Sequence, residues 1–297
     1  MGASTNFADL RRRSVETILA GQSPEGGYVA SPTFLPYAFS WLRDGSFIAD
    51  AMSRAGRVES AEAFFGWVAR IVEAGLGFEA RYTLDGRRDP TEWPHRQYDG
   101  WGLWLWALRA HCARHARPHR WRDAAAHAAR HLETVREQPC VDWWEERTGV
   151  HAATLACIAA GLGDELDLSA AEKRLDASLL VLPFLGFGTV DVSALVSPGG
   201  GVHRHSEDTF YGGGEWLLLT AMLGLAELGL AQPARARERL DWIAAHATAD
   251  GELPEQSQDH LLHPDHYEPW VERWGPPPSP LLWAHAMFLT LALELGL

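Results

Sequence analysis

Residues 100–108, GWGLWLWAL, and residues 215–228, EWLLLTAMLGLAEL, carry apolar side chains on nearly every face a helix would present. A helix that is apolar all round is buried on most sides. The first stretch belongs to a helical pattern over 99–115 and the second to one over 208–230. Four more of this kind run over 41–55, 151–163, 175–184 and 280–296. Between them lie amphipathic segments with a single apolar stripe. Residues 4–21 align Phe7, Leu10, Val15, Ile18 and Leu19, and residues 57–74 align Ala61, Phe64, Phe65, Val68 and Ile71. Residues 119–136 align Trp121, Ala125, Ala128, Leu132 and Val135, and residues 233–247 open with Pro233 near the first turn. Buried and surface helices thus alternate, an order that predicts an all-α toroid with six inner helices inside an outer ring. Segments 164–174 and 185–200 are too short or too glycine-rich for full outer helices, so that ring is expected to be partly trimmed. An irregular helical solenoid is the other arrangement the pattern allows.

Composition narrows the function classes. The net charge of −13 is spread along the chain, which repels phosphate backbones and provides no polybasic patch, so neither nucleic acid nor an anionic membrane surface is an expected partner. No run of about 18 apolar residues marks a transmembrane helix. The first residues show no apolar core of a secretory signal. Cys112, Cys140 and Cys157 are odd in number and lack metal-ligand spacing, reading as reduced thiols of a cytoplasmic protein. Fourteen tryptophans are unusual, and an indole's flat apolar face stacks on sugar rings as readily as it fills a core.

In an alternating toroid the inner helices run the same way, so the segments preceding them meet at one rim, where helix N-termini add positive potential. FSWLRDGSF (39–47) brings Trp41, Arg43 and Asp44 there. TEWPHRQYDGWGLW (91–104) brings Trp93, Arg96, Gln97 and Asp99, the last also suited to cap a helix. CVDWWEERTG (140–149) sets Asp142, Trp143 and Trp144 before Glu145 and Glu146, where an apolar wall beside a like charge should raise a carboxyl pKa. HRHSEDTFYGGGEW (203–216) holds Arg204, Glu207, Asp208, Tyr211 and Trp216 around a glycine run. DGELPEQSQD (250–259) presents Glu252 and Glu255 beside Pro254. Each segment alone reads equally well as caps, core tryptophans or a solvated acidic loop. Together they gather carboxylates, arginines and aromatics with no metal set, nucleophile elbow or phosphate loop, which points to glycosidic chemistry.

Five motifs in order, SWLRDG (40–45), WPHRQYDG (93–100), DWWEE (142–146), RHSEDTFYGGGEW (204–216) and LPEQ (253–256), followed by PLLWAHAMFL (280–289), resemble the catalytic domain of glycoside hydrolase family 15, the glucoamylases. The resemblance spans about residues 35–290. It implies an (α/α)6 barrel forming a single catalytic domain over 1–297, here without the N-terminal β-sandwich that bacterial relatives usually carry. It implies inverting, exo-acting release of β-glucose from small α-glucosides of the maltose or isomaltose type, with no cofactor. By the same resemblance Glu145 is the general acid and Glu255 the general base. Arg43, Asp44 and Arg204 hold the terminal sugar's hydroxyls, and Trp41, Trp93, Asp142, Trp144 and Trp216 line the pocket with Glu146 beside the acid. Asp99, Glu207, Asp208 and Tyr211 belong to the same substrate-binding group. A trehalase of the same family, a non-catalytic sugar-binding module and a histidine-based sugar epimerase on a similar toroid are the alternatives.

The segment LDASLLVLPF (175–184) needs cover on both sides, yet its neighbours are short. Either 185–200 folds over it as a lid through Phe187, Val190, Val192 and Leu195, or two copies pair here as a homodimer. The shortness and glycine content of the lid favour pairing.

Overall fold

A computed structural model describes residues 7–117 and 120–297. They group into two compact units, Leu19–Lys173 and Met1–Ile18 with Arg174–Leu297. Helices dominate both. The expected helix starts at residues 4–6 and 119 lie outside the described residues.

Helix α1 (Phe7–Ala20), through Ile18, belongs to the second unit and buries Phe7, Leu10, Val15 and Ile18, four of its five stripe residues. The first unit contains β1 (Ser40–Trp41), α2 (Leu42–Arg54), α3 (Val58–Glu73), β2 (Arg81–Tyr82) and α4 (Asp99–Arg114). It continues with α5 (Arg122–Val135), β3 (Cys140–Val141), β4 (Thr148–Gly149) and α6 (Ala152–Leu162). Helices α2, α4 and α6 pack side by side, while α3 lies on α2, and α5 on α3 and α4. Every residue of α2 except Arg54 is buried, whereas α5 buries only one stripe, so the inner and outer assignments hold within this unit. Glycine inside α4 has a packing cause. A Cβ on Gly102 would sit 2.3 Å from the Cys157 carbonyl oxygen of α6, and one on Gly161 would meet Gly102 O at 2.5 Å. The helix-propensity cost of about 1 kcal/mol per glycine is offset by this close approach of two backbones.

The second unit holds α7 (Val181–Phe184), β5 (Glu215–Trp216), α8 (Leu217–Gly229), α9 (Pro233–Ala245), β6 (Gln256–Ser257), α10 (Tyr267–Trp274) and α11 (Leu282–Glu294). Helix α8 packs against α9, α11 and α7. Two expected inner helices are shorter than their apolar pattern. The pattern over 208–230 becomes helix only from Leu217, because Gly212 and Gly213 take φ of 77° and 72°, a left-handed backbone that ends any helix. The one over 175–184 is a 3-10 turn, Ala177–Leu180, running into the single turn of α7 with Pro183 inside it. Helix α10 was not expected, and neither were three two-stranded antiparallel ribbons, β1 with β2, β3 with β4, and β5 with β6. Two-residue strands leave no period to read.

Ala177, Leu180, Val181 and Leu182 of the short helix are buried within the single chain, and in the segment that follows Phe187 and Val190 are half-buried. Val192 and Leu195 are buried, and His203 donates its backbone N–H to Leu195 O at 2.9 Å. No helix among the described residues is long and apolar enough to cross a membrane.

Candidate active site

The ribbons deliver the chemistry-bearing segments. Strand β1 ends on Trp41, the β3–β4 ribbon brackets the DWWEER turn, and β6 begins one residue after Glu255.

In the first unit the turn is built around Asp142. Its Oδ1 accepts the backbone N–H groups of Glu146 at 2.9 Å and Arg147 at 3.3 Å, and Glu145 N donates to Asp142 O at 3.1 Å. Glu145 closes this turn with φ of 64°, a left-handed conformation that costs a non-glycine residue about 1–3 kcal/mol and persists only where its surroundings hold it. They do so through the side chain. Glu145 Oε1 accepts from Gln97 Nε2 at 2.7 Å and from Trp41 Nε1 at 2.9 Å, and Arg43 Nη2 lies 4.0 Å away. Arg43 is buried and fixed in turn: Nη1 donates to Asp99 Oδ2 at 2.7 Å and Gln97 Oε1 at 2.9 Å, and Nη2 to Trp143 O at 3.0 Å. Trp41, Arg43, Gln97, Asp99 and Glu145 therefore form one hydrogen-bonded group. Asp44 beside it is buried, and that burial pushes its carboxyl up to about 7, Arg43 opposing and Glu145 and Asp99 adding. Trp144 is buried and Glu146 exposed.

Trp93 meets Trp41 edge to face at 5.8 Å between ring centroids. A residue that sequence reading missed holds both. The buried Arg81 guanidinium lies 3.8 Å from the centre of the Trp93 ring, 4.6 Å from Trp41 and 4.1 Å from Phe39. It pairs with Asp89 at 2.6 Å and opposes Trp41 across the β1–β2 ribbon. Cation–π contacts with three rings and a buried carboxylate partner fix this aromatic wall. The RYTLDGRRDP segment carried no signal beyond its charge, since the pairing that gives Arg81 its place is long-range. Gln97 was seen in its motif without a role.

In the second unit Arg204 forms a two-point pair with Asp208, Nε to Oδ2 at 2.8 Å and Nη2 to Oδ1 at 2.5 Å, both side chains buried. The same guanidinium faces Trp216 at 5.3 Å and Phe210 at 5.1 Å. Asp208, grouped with the sugar ligands by sequence, thus holds an arginine in position, as Asp99 does for Arg43. Tyr211 is fully buried, its hydroxyl donating to Gly275 O at 2.9 Å. Burial, with Glu255 adding, pushes that phenol up to about 12. Glu207 is exposed. The glycine run answers a steric demand: a Cβ on Gly213 would lie 2.2 Å from Asp208 O, and one on Gly214 would lie 2.3 Å from Ser257 O. Gly214 N also donates to Gln256 Oε1 at 3.0 Å, tying the run to the Glu255 segment. Glu255 itself is buried, its backbone N–H donating to Pro278 O at 2.9 Å.

Each unit thus presents a buried, arginine-paired carboxylate network beside aromatic rings, and one of the two glutamates expected as acid and base. The family model for glycosyl hydrolases family 15 matches residues 8–90. An isomaltose glucohydrolase from Kribbella flavida is 37% identical, in an alignment covering 97% of this chain and 93% of that protein. A solved glycosidase variant in complex with glucose is 35% identical with a TM-score of 0.89, covering 100% of this chain and 99% of that one. A bacterial glucoamylase complexed with acarbose has a TM-score of 0.76 at 18% identity, covering 98% of this chain and 56% of that one, and speaks for the fold alone. The chain belongs to glycoside hydrolase family 15: it is an exo-acting α-glucoside hydrolase of the glucoamylase type, in the all-helical (α/α)6 fold class.

Proposed function

We propose that residues 1–297 act as one catalytic domain that hydrolyses short α-1,6-linked glucosides of the isomaltose type, with Glu145 as general acid and Glu255 as general base. The observation that carries this reading is the double hydrogen bond to a single oxygen of Glu145. With Oε1 accepting from both Trp41 and Gln97, the proton of the neutral acid belongs on Oε2. Oε2–H passes its proton to the glycosidic oxygen as the C1–O bond breaks. Glu255 takes a proton from the water that adds to C1 on the opposite face, and β-glucose and the shortened sugar leave. Arg43, Asp44 and Arg204 hold the terminal glucose, and Trp41, Trp93 and Trp216 wall it. The choice of an α-1,6 bond rests on the Kribbella flavida isomaltose glucohydrolase. Small sugars as substrates and three cysteines that form no disulfide suit a cytoplasmic enzyme.

Purified protein incubated with isomaltose, maltose and trehalose provides the test. Glucose should be released with the highest kcat/KM from isomaltose. Release from trehalose alone would make it a trehalase, and release from none would leave a non-catalytic sugar-binding module.

A further inference from the structure

Every backbone hydrogen-bonding group of Leu253 and Glu255 has a partner, and only one of those partners is a side chain. Leu253 O accepts from Leu281 N at 2.9 Å, Glu255 N donates to Pro278 O at 2.9 Å, and Glu255 O accepts from Leu217 N at 3.3 Å. Pro254 has no N–H to satisfy. The remaining group, Leu253 N–H, donates to Nε2 of His285 at 3.0 Å. His285 stands in α11 and is fully buried, and its Nδ1 lies 2.9 Å from Oγ of the equally buried Ser14 in α1. An imidazole nitrogen that accepts a hydrogen bond carries no proton, so the neutral ring's proton is on Nδ1 and is donated to Ser14. Ser14 thereby sets the tautomer, and the tautomer supplies the acceptor two residues from the carboxylate.

We infer that His285, oriented by Ser14, is a positioning residue for Glu255: it holds the backbone of the LPEQ segment so that the carboxylate meets the attacking water. The inference rests on the assignment of Glu255 as general base. Burial holds the imidazole down at about 3, so Nε2 stays an acceptor at the pH of any ordinary assay. A base displaced by even an ångström loses its alignment with water, while the groups that bind sugar stay in place. The loss should therefore fall on kcat and spare KM.

The test measures kcat and KM on isomaltose for the full chain, with the thermal midpoint recorded for each variant. His285→Leu, which fills the site without an acceptor, should lower kcat at least tenfold with KM within about twofold. His285→Gln places an amide oxygen near Nε2 and should restore most of that loss. Ser14→Ala, a milder change that keeps the fold if His285→Leu does not, should lower kcat severalfold at unchanged KM. Glu255→Gln serves as the reference. If Glu255→Gln is inactive while His285→Leu and Ser14→Ala keep wild-type kcat, the positioning role is refuted and the base assignment stands. Equal loss in His285→Leu and His285→Gln, tracking a lowered midpoint, also refutes it, since that is the mark of a purely structural side chain. Turnover surviving in Glu255→Gln would instead overturn the base assignment itself.

Discussion

Glu145 combines a left-handed backbone with two hydrogen bonds accepted on one carboxylate oxygen and a neighbouring guanidinium, and the last two fix where its carboxylate lies. Replacing Glu145 or Glu255 by Gln should each lower kcat by roughly 10²–10⁴-fold with the circular dichroism spectrum unchanged. Near-wild-type turnover in either variant would remove that residue from the mechanism. Asp44 makes a separate prediction about pH. Its carboxyl rises from an ordinary value of 3.8 to about 7 chiefly because burial disfavours the anion. Between those values the folded protein holds a proton that the unfolded chain has lost. Asp44 therefore contributes its full stability below about pH 4 and loses it as the pH rises through 7. Wild type should weaken relative to Asp44→Asn over that window, by up to roughly 4 kcal/mol. Urea midpoints of the two proteins that run parallel from pH 4 to 8 would contradict the shift.

At the scale of elements, the two apolar-all-round helices α4 and α8 were legible because burial on every side erases the polar face, and α3 and α5 because it survives. What stayed hidden depends on contacts distant in sequence. The ribbons are two residues long, α10 buries none of its residues, and Arg81 finds Trp41 only through the β1–β2 pairing. The motifs located Glu145 and Glu255, yet they could not show that Asp99 and Asp208 hold arginines, since a spacing names a residue type and not its partner. The contact between α4 and α6 gives a mutational test. Gly102→Ala forces a methyl group into the Cys157 carbonyl and should destabilise by about 1–3 kcal/mol. Gly229→Ala, at a helix position with open space around it, should leave the thermal midpoint unchanged or raised. Equal midpoints for the two variants would show that the helices separate at little cost.

For the molecule as a whole, Ala177, Leu180, Val181 and Leu182 of the 175–184 helix are buried within a single copy of the chain. Light scattering at micromolar concentration should return a monomer near 32.9 kDa, and a stable species of twice that mass would contradict this. In the proposed reaction two carboxylates carry out inversion at the anomeric carbon. That inversion is tested most directly by proton NMR of isomaltose hydrolysis, recorded before mutarotation equilibrates the product. The β-anomer of glucose should appear first and the α-anomer only as the sample ages. Initial α-glucose would mean retention through a covalent intermediate and would contradict the assignment of Glu255 as a base acting on water.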